Sequence, residues 1–174
     1  MKKITIIALI IFMLANTNIF AQTDTAKYKP NSYKHSFGIG AGFSSGYGFS
    51  YRYFPNQYGV QVNFAPFLSS NSTVVSIGTL GLISLDRTKK SDFYIYYGGH
   101  LHNYNNIRKN RTRLFYGIGP GIQLNLSEHV SWDFMVGYGG SQTIAYKDRN
   151  NQNYFPDGFR IGYTIETALY FRFN

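Results

Sequence analysis

Side chains along residues 159–173 change character at every step. Phe159, Ile161, Tyr163, Ile165, Leu169, Phe171 and Phe173 share one parity, interrupted only by Thr167. Arg160, Gly162, Thr164, Glu166, Ala168, Tyr170 and Arg172 share the other. A strand turns successive side chains to opposite faces, so this segment carries one broad apolar face and one small or polar face. It is long for a soluble strand and suits one that crosses a bilayer at a tilt and rises above it.

Seven earlier segments repeat the pattern. The first, 34–44, sets Phe37, Ile39, Ala41 and Phe43 against Ser36, Gly38, Gly40 and Gly42. The second, 47–54, sets Tyr47, Phe49, Tyr51 and Tyr53 against Gly48, Ser50 and Arg52. The third, 58–67, sets Tyr58, Val60, Val62 and Phe64 against Gly59, Gln61, Asn63 and Ala65. In the fourth, 73–85, Val75, Ile77, Ile83 and Leu85 share one parity but Val74, Leu80 and Leu82 the other. A bulge near 78–81 would switch its frame. The fifth, 92–103, has Phe93, Ile95, Tyr97 and Leu101 opposite Tyr94, Tyr96, His100 and His102. In the sixth, 112–126, Leu114, Tyr116, Ile118, Ile122 and Leu124 oppose Arg113, Phe115, Gly117, Gly119, Gly121 and Gln123. Pro120 falls on its apolar face and lacks a ladder donor, which predicts a local bulge. The seventh, 130–141, sets Trp132, Phe134, Val136 and Tyr138 against Ser131, Asp133, Met135 and Gly137.

The apolar faces could line a soluble lipid-binding barrel or face lipid, and the opposite faces decide between them. A water-exposed face is normally rich in Lys, Arg, Glu and Asp. Here it holds mostly Gly, Ser, Asn and Gln, which suit the inside of a narrow barrel. Unpaired strand edges are costly in hydrocarbon, so a spanning sheet must close on itself. The expectation is an all-β, eight-stranded antiparallel up-and-down transmembrane β-barrel over residues 34–174. Strands one and five would sit opposite each other, with glycines 38, 40 and 42 facing Tyr94, Tyr96, His100 and His102 across the lumen. Turns at 55–57, 86–91 and 127–129 are expected on the periplasmic side. Connections at 44–46, 66–72, 104–111 and 142–158 are expected outside.

Composition adds processing and compartment. The chain has 174 residues, no cysteine, 18% aromatics, only 14% charged residues and a formal charge of +9. Lys2 and Lys3, the apolar stretch 4–15, and Ile19-Phe20-Ala21 before Gln22 read as a cleaved secretory signal over residues 1–21. That apolar stretch is too short for a spanning helix. Cleavage would take the formal charge from +9 to +7 by removing those two lysines. Residues 22–33 show little periodicity and are expected to form a flexible periplasmic leader. Without cysteine the exported chain has neither disulfides nor thiolate metal sites.

Certain segments resemble the small eight-stranded outer-membrane proteins of Gram-negative bacteria. These are Phe20-Ala21-Gln22, the aromatic-glycine runs Phe37-Gly38-Ile39-Gly40 and Tyr47-Gly48-Phe49, and the closing Leu169-Tyr170-Phe171-Arg172-Phe173. The resemblance is to the outer membrane protein A and X kind and to the outer-membrane β-barrel domain common in Bacteroidota. It covers about residues 34–174 and is architectural. It implies location in the cell outer membrane, contact with outer-membrane lipid and lipopolysaccharide, and insertion by the barrel assembly machinery. Phe171 and Phe173 would carry the assembly signal, one residue inside the end because Asn174 follows.

Candidate sites divide by position. Arg52, Asp133, Glu166 and Arg172 should lie in the lower or middle lumen, with Arg113 and Arg160 higher. Glu166 and Asp133 read as the only two inward acids among these arginines, and desolvation makes a charge network the expectation. It would serve as a salt-bridge plug, or as an ion gate if an arginine exchanges partners. His100 and His102 share a face but fall short of a usual metal set, so neither metal nor other cofactor is expected. His129-Val130-Ser131 resembles the His-x-Ser element of lipid A deacylases, yet it falls at a predicted turn with no acid placed to orient the histidine. The basic loop with Arg108, Lys109 and Arg111 would find its counter-charge in lipopolysaccharide phosphate, and an exported membrane protein is not expected to meet nucleic acid. A monomeric, non-enzymatic barrel with a filled lumen and a structural or interaction role is the leading reading. A minor passive channel and a lipid A-modifying hydrolase are the alternatives.

Overall fold

Eight strands follow one another along the chain: β1 (His35–Gly42), β2 (Gly46–Tyr53), β3 (Tyr58–Ser69), β4 (Ser72–Arg87), β5 (Ser91–Asn106), β6 (Lys109–Asn125), β7 (Val130–Asp148) and β8 (Arg160–Phe173). The structure, a computed structural model, describes residues 33–107, 109–148 and 158–174. The expected signal 1–21, the leader as far as residue 32, and Arg108 lie outside the described residues. Each strand pairs antiparallel with its chain neighbours, and β8 returns to pair with β1, closing the barrel. Aromatic and β-branched residues at alternate positions favour this extended state. Closure leaves no edge strand, as a hydrocarbon solvent demands.

The two faces separate cleanly. Outside, Phe37, Ile39, Phe49, Phe64, Ile118, Val136, Ile165 and Leu169 are each between 45% and 73% exposed. Inside, Ser50, Gln61, Asn63, Asp133 and Glu166 are at most 1% exposed. A water-soluble protein has the opposite arrangement. Thr167, the one polar interruption on the outer face of β8, is satisfied locally. Trp132 Nε1 donates to its hydroxyl at 2.9 Å, and that hydroxyl donates to the Asp133 carbonyl at 3.0 Å. Aromatic side chains cluster at both ends of the apolar band. His35, Tyr53 and Phe173 meet at the chain-terminal end, and Tyr116–Phe159 and Tyr138–Tyr163 pair at the other.

Three local expectations need correction. The fourth strand keeps one frame from Ser72 to Ser84, so no bulge lies at 78–81. Its extra residue is Leu85, between Ser84 and Asp86 in the pairing with β5. Leu80 and Leu82 therefore point into the lumen, 0% and 1% exposed, where they join Phe54, Tyr94, Tyr96 and Met135 in an apolar core. A lumen this narrow is packed like an interior, so apolar side chains are as welcome as amides. Pro120 causes no register shift. Pairing with β7 runs at one register on both sides of it, and the β6–β7 shift comes instead at Ile144, opposite Thr112 and Arg113. Lastly, 66–72 and 104–111 are strand for most of their length. β3 turns into β4 at residues 70–71, β5 extends to Asn106, and β6 begins at Lys109. Serine- and asparagine-rich composition signals a loop, but a hairpin rising clear of lipid tolerates polar residues on both faces.

Large and small side chains also complement each other differently from the diametric expectation. Tyr170, Gly38 and Ser50 form one register row across β8, β1 and β2. The tyrosine lies over the glycine to place its hydroxyl 2.6 Å from the Ser50 hydroxyl. Tyr94 likewise covers Gly121, its partner on β6, where an added Cβ would sit 2.5 Å from the ring. Tyr96 passes Gly119 and Gly137 to bring its hydroxyl 2.5 Å from the Thr164 hydroxyl. The fit is lateral: each tyrosine lies along the inner wall over glycines of neighbouring strands.

Candidate functional site

The lower lumen is organised around Arg52, whose strand β2 turns it inward at 1% exposure. Its guanidinium forms an ion pair with Asp133 of β7. It also donates to Gln61 Oε1 at 3.2 and 2.6 Å and to Gln123 Oε1 at 2.9 Å. The Tyr94 hydroxyl donates to the second Asp133 oxygen at 2.6 Å, and the Tyr170 ring lies 4.6 Å from the guanidinium carbon. Both charges are stripped of water, so these surrounding donors and acceptors must replace hydration. The amides carry the network further. Gln61 and Ser50 both donate to Asn63 Oδ1, at 3.1 and 2.6 Å. A serine hydroxyl has a single proton, so the Tyr170 hydroxyl is then the donor to Ser50. Gln123 and Arg172 both donate to Asn125 Oδ1, at 3.2 and 2.6 Å, and Arg172 also binds the Ser127 carbonyl.

The upper lumen is closed by the turn at residues 43–45. β1 and β2 are only eight residues each, so their connection does not reach the rim. It folds into the barrel, and Ser44 and Ser45 are 0% and 2% exposed. Glu166 of β8 latches it. The Ser44 and Ser45 amides donate to its two oxygens at 3.3 and 2.9 Å, and the Ser44 hydroxyl adds a further bond. Phe43 meets Phe115 edge-on at 5.2 Å. Glycines supply the room: a Cβ on Gly78 would strike the Ser45 carbonyl, and one on Gly117 would lie 2.8 Å from the Ser44 hydroxyl. Gly46 leaves the turn at φ +76°, a conformation other residues rarely adopt.

The six charges expected to form one network are thus divided. Arg52 and Asp133 pair directly; Glu166 holds backbone amides of the turn; Arg172 braces the 126–129 turn through Asn125 and Ser127. Arg113 is half-buried and Arg160 exposed, both near the far mouth. Asp133 and Glu166 are not the only inward acids, because Asp92 is also buried, 8% exposed, beside its partner Arg87. Arg87 lies over the Phe54 ring at 3.9 Å. Arg87 escaped the sequence reading because 86–91 looked like turn, and Asp92, at the start of the expected fifth strand, was passed over although it shares the parity of Tyr94 and Tyr96.

His100 stacks on Phe115 at 4.5 Å, with His102 perpendicular to it. Among the described residues no group of three His, Cys, Asp or Glu gathers. His129 and Ser131 are not brought together as base and nucleophile. His129 is exposed at the turn, stacked on Phe171, whereas Ser131 is wholly buried in the lumen. Phe171 and Phe173 lie on the outer face, 55% and 38% exposed. Lys109 and Arg111 face the barrel axis on β6, and Arg111 donates to the Thr143 hydroxyl at 3.4 and 3.2 Å.

A closed antiparallel barrel with a continuous apolar exterior and a packed polar-apolar interior is a transmembrane β-barrel, and in bacteria such barrels sit in the outer membrane. Among solved structures, the chain is similar to the N-terminal β-barrel domain of Pseudomonas aeruginosa OprF. That likeness has a TM-score of 0.47 at 14% identity, covering 83% of this chain and 98% of that one. It is also similar to Neisserial surface protein A, with a TM-score of 0.44 at 17% identity, covering 80% of this chain and 94% of that one. No protein-family model matches the chain, and no curated protein matches it.

Proposed function

We propose that the protein is a sealed, non-enzymatic outer-membrane barrel whose role is structural or interaction-based. The wall is a lipid anchor, and contacts with partners are made by the hairpins that rise beyond it. The observation that carries this reading is the double closure of the lumen. The Glu166-latched turn blocks it above, and Arg52, Asp133, Tyr94, Tyr170, Leu80, Leu82 and Met135, each at most 1% exposed, fill it below. An aqueous path through an eight-stranded barrel has no room beside such a filling. A hydrolase needs a nucleophile beside an oriented base, and the separate settings of His129 and Ser131 speak against that pairing. Planar-bilayer recording of the full chain refolded in detergent tests the proposal. The expected result is no resolved conductance steps; steady channel openings would overturn it. Lipid A from cells lacking or overproducing the protein should carry the same acylation pattern, and an altered pattern would restore the hydrolase.

A further inference from the structure

The ring of strand pairing closes, but the top of the wall is not level. β1 ends at Gly42 and β2 begins at Gly46, whereas their outer neighbours β8 and β3 continue to Arg160 and Ser69. The β1–β8 ladder stops at Gly42 with Glu166, and the β2–β3 ladder at Phe49 with Phe64. Above that height, among the described residues, β8 and β3 have no pairing partner on their facing sides. The notch between them is two strands wide, about 14 Å from β8 to β3 at about 4.8 Å per strand spacing. Its sill is the folded-in turn at residues 43–45.

The two edges of the notch differ. Main-chain groups of an antiparallel strand turn alternately to one neighbour and the other. The Arg172 amide bonds the His129 carbonyl on the β7 side, so the odd-numbered residues of β8 turn theirs toward β1. Ile161, Tyr163 and Ile165 therefore present amides and carbonyls to the notch with no strand beside them. Their outward side chains are 66%, 78% and 73% exposed, against 46% and 55% for Leu169 and Phe171, which β1 flanks. On the lumen side of this edge, a Cβ on Gly162 would meet no described atom within 4 Å. Across the notch, the Ser84 amide bonds the Gln57 carbonyl on the β4 side, which leaves Pro66 and Leu68 of β3 facing the gap. Pro66 has no amide to donate, a guard found on exposed edges.

We infer that the β8 edge at residues 161–165 is a docking site for an extended segment of a partner protein, which adds antiparallel to β8 in the place above β1. Only another main chain matches alternating donors and acceptors along an edge; an acyl chain matches none of them. A second copy fits poorly, because copies in one membrane share an orientation. Two β8 edges would then run the same way, and the opposed edge, β3, carries Pro66. The segment that fits alternates apolar side chains toward lipid with small ones toward Gly162. The inference names a mode of contact for the interaction role proposed above and rests on it. Its failure is read separately, since a barrel without this docking site would still be silent in a bilayer.

Amide hydrogen exchange of the detergent-refolded full chain tests it, followed by NMR with and without a dansyl-labelled heptapeptide of alternating valine and serine. Without peptide, the Ile161 and Tyr163 amides should exchange about tenfold faster or more than those of Leu169 and Phe171. Saturable peptide binding should slow them by about tenfold or more. Tyr163→Pro removes an edge amide without touching the β7 ladder, and heat-modifiable gel migration checks that it folds. It should weaken peptide binding by about tenfold or more, because one bond is lost and a ring enters the new ladder. Tyr163→Phe should bind unchanged. Slow exchange at both amides before peptide is added would overturn the proposal, since the edge would already be covered. Protection that grows with protein concentration alone would overturn it in favour of a second copy. Absence of protection by the peptide, or equal binding by Tyr163→Pro, would overturn it as well.

Discussion

Arg52 and Asp133 show how much one inward charge asks of its surroundings. The pair is buried at 1% and 0% exposure and draws on Gln61, Gln123, Tyr94 and Tyr170, from four other strands. Removing one member strands the other without hydration. Asp133→Leu should therefore cost about 3–5 kcal/mol, read as a lowered urea midpoint for unfolding from lipid vesicles. Adding Arg52→Met should return much of that loss, because a matched apolar replacement leaves no orphaned charge. Gly121 makes a complementary point. A Cβ there would meet the Tyr94 ring at 2.5 Å, so Gly121→Val should destabilise by about 1–3 kcal/mol in the same measurement. The charges themselves were legible from parity. That Glu166 would serve backbone amides rather than an arginine was not, because the turn it holds lies more than a hundred residues away in sequence.

At the scale of elements, the shortness of β1 and β2 decides what closes the barrel. A connection of ordinary height would stand clear of the mouth; this one drops inside and is held by Glu166. Glu166→Leu leaves the Ser44 and Ser45 amides without their acceptor, a loss of about 1–3 kcal/mol for each buried group. The turn should then leave the lumen part of the time, seen as brief current bursts in a bilayer where the unaltered protein is silent. Glu166→Gln keeps one acceptor oxygen and should show fewer bursts. Continued silence of Glu166→Leu would mean that the apolar layer below seals the barrel by itself. Strand positions could be read from alternation because each strand has one lipid face and one inner face. Hairpin lengths could not, since above the membrane the alternation fades while pairing continues as far as Ser69 with Ser72 and Asn105 with Asn110.

For the whole molecule, solvent sets the architecture. With its large apolar residues outside, the barrel has no soluble form that hides them. The full chain should stay dispersed only with detergent or lipid, and a well-behaved monomer in plain buffer would contradict the membrane assignment. Among the described residues no helix is long and apolar enough to cross a membrane, so crossing falls to the strands. The rising hairpins of β3–β4 and β5–β6 leave a basic, axis-facing mouth over a closed floor. The middle of the molecule is filled by side chains from every wall strand that faces it.

The order of residues alone determined the strand count, the two faces and the closure, because these follow from a period of two and from a solvent that forbids unpaired backbone. Tertiary structure decided everything that depends on which inward side chains meet. Only three-dimensional packing shows tyrosines lying over glycines of adjoining strands, Leu80 and Leu82 in the lumen, and Arg52 shared among five strands. It also turns Lys109, Arg111 and Arg113 toward the axis as one surface. Alternation tells each residue which side of the wall it is on; the tilt and stagger of the strands decide its neighbours there.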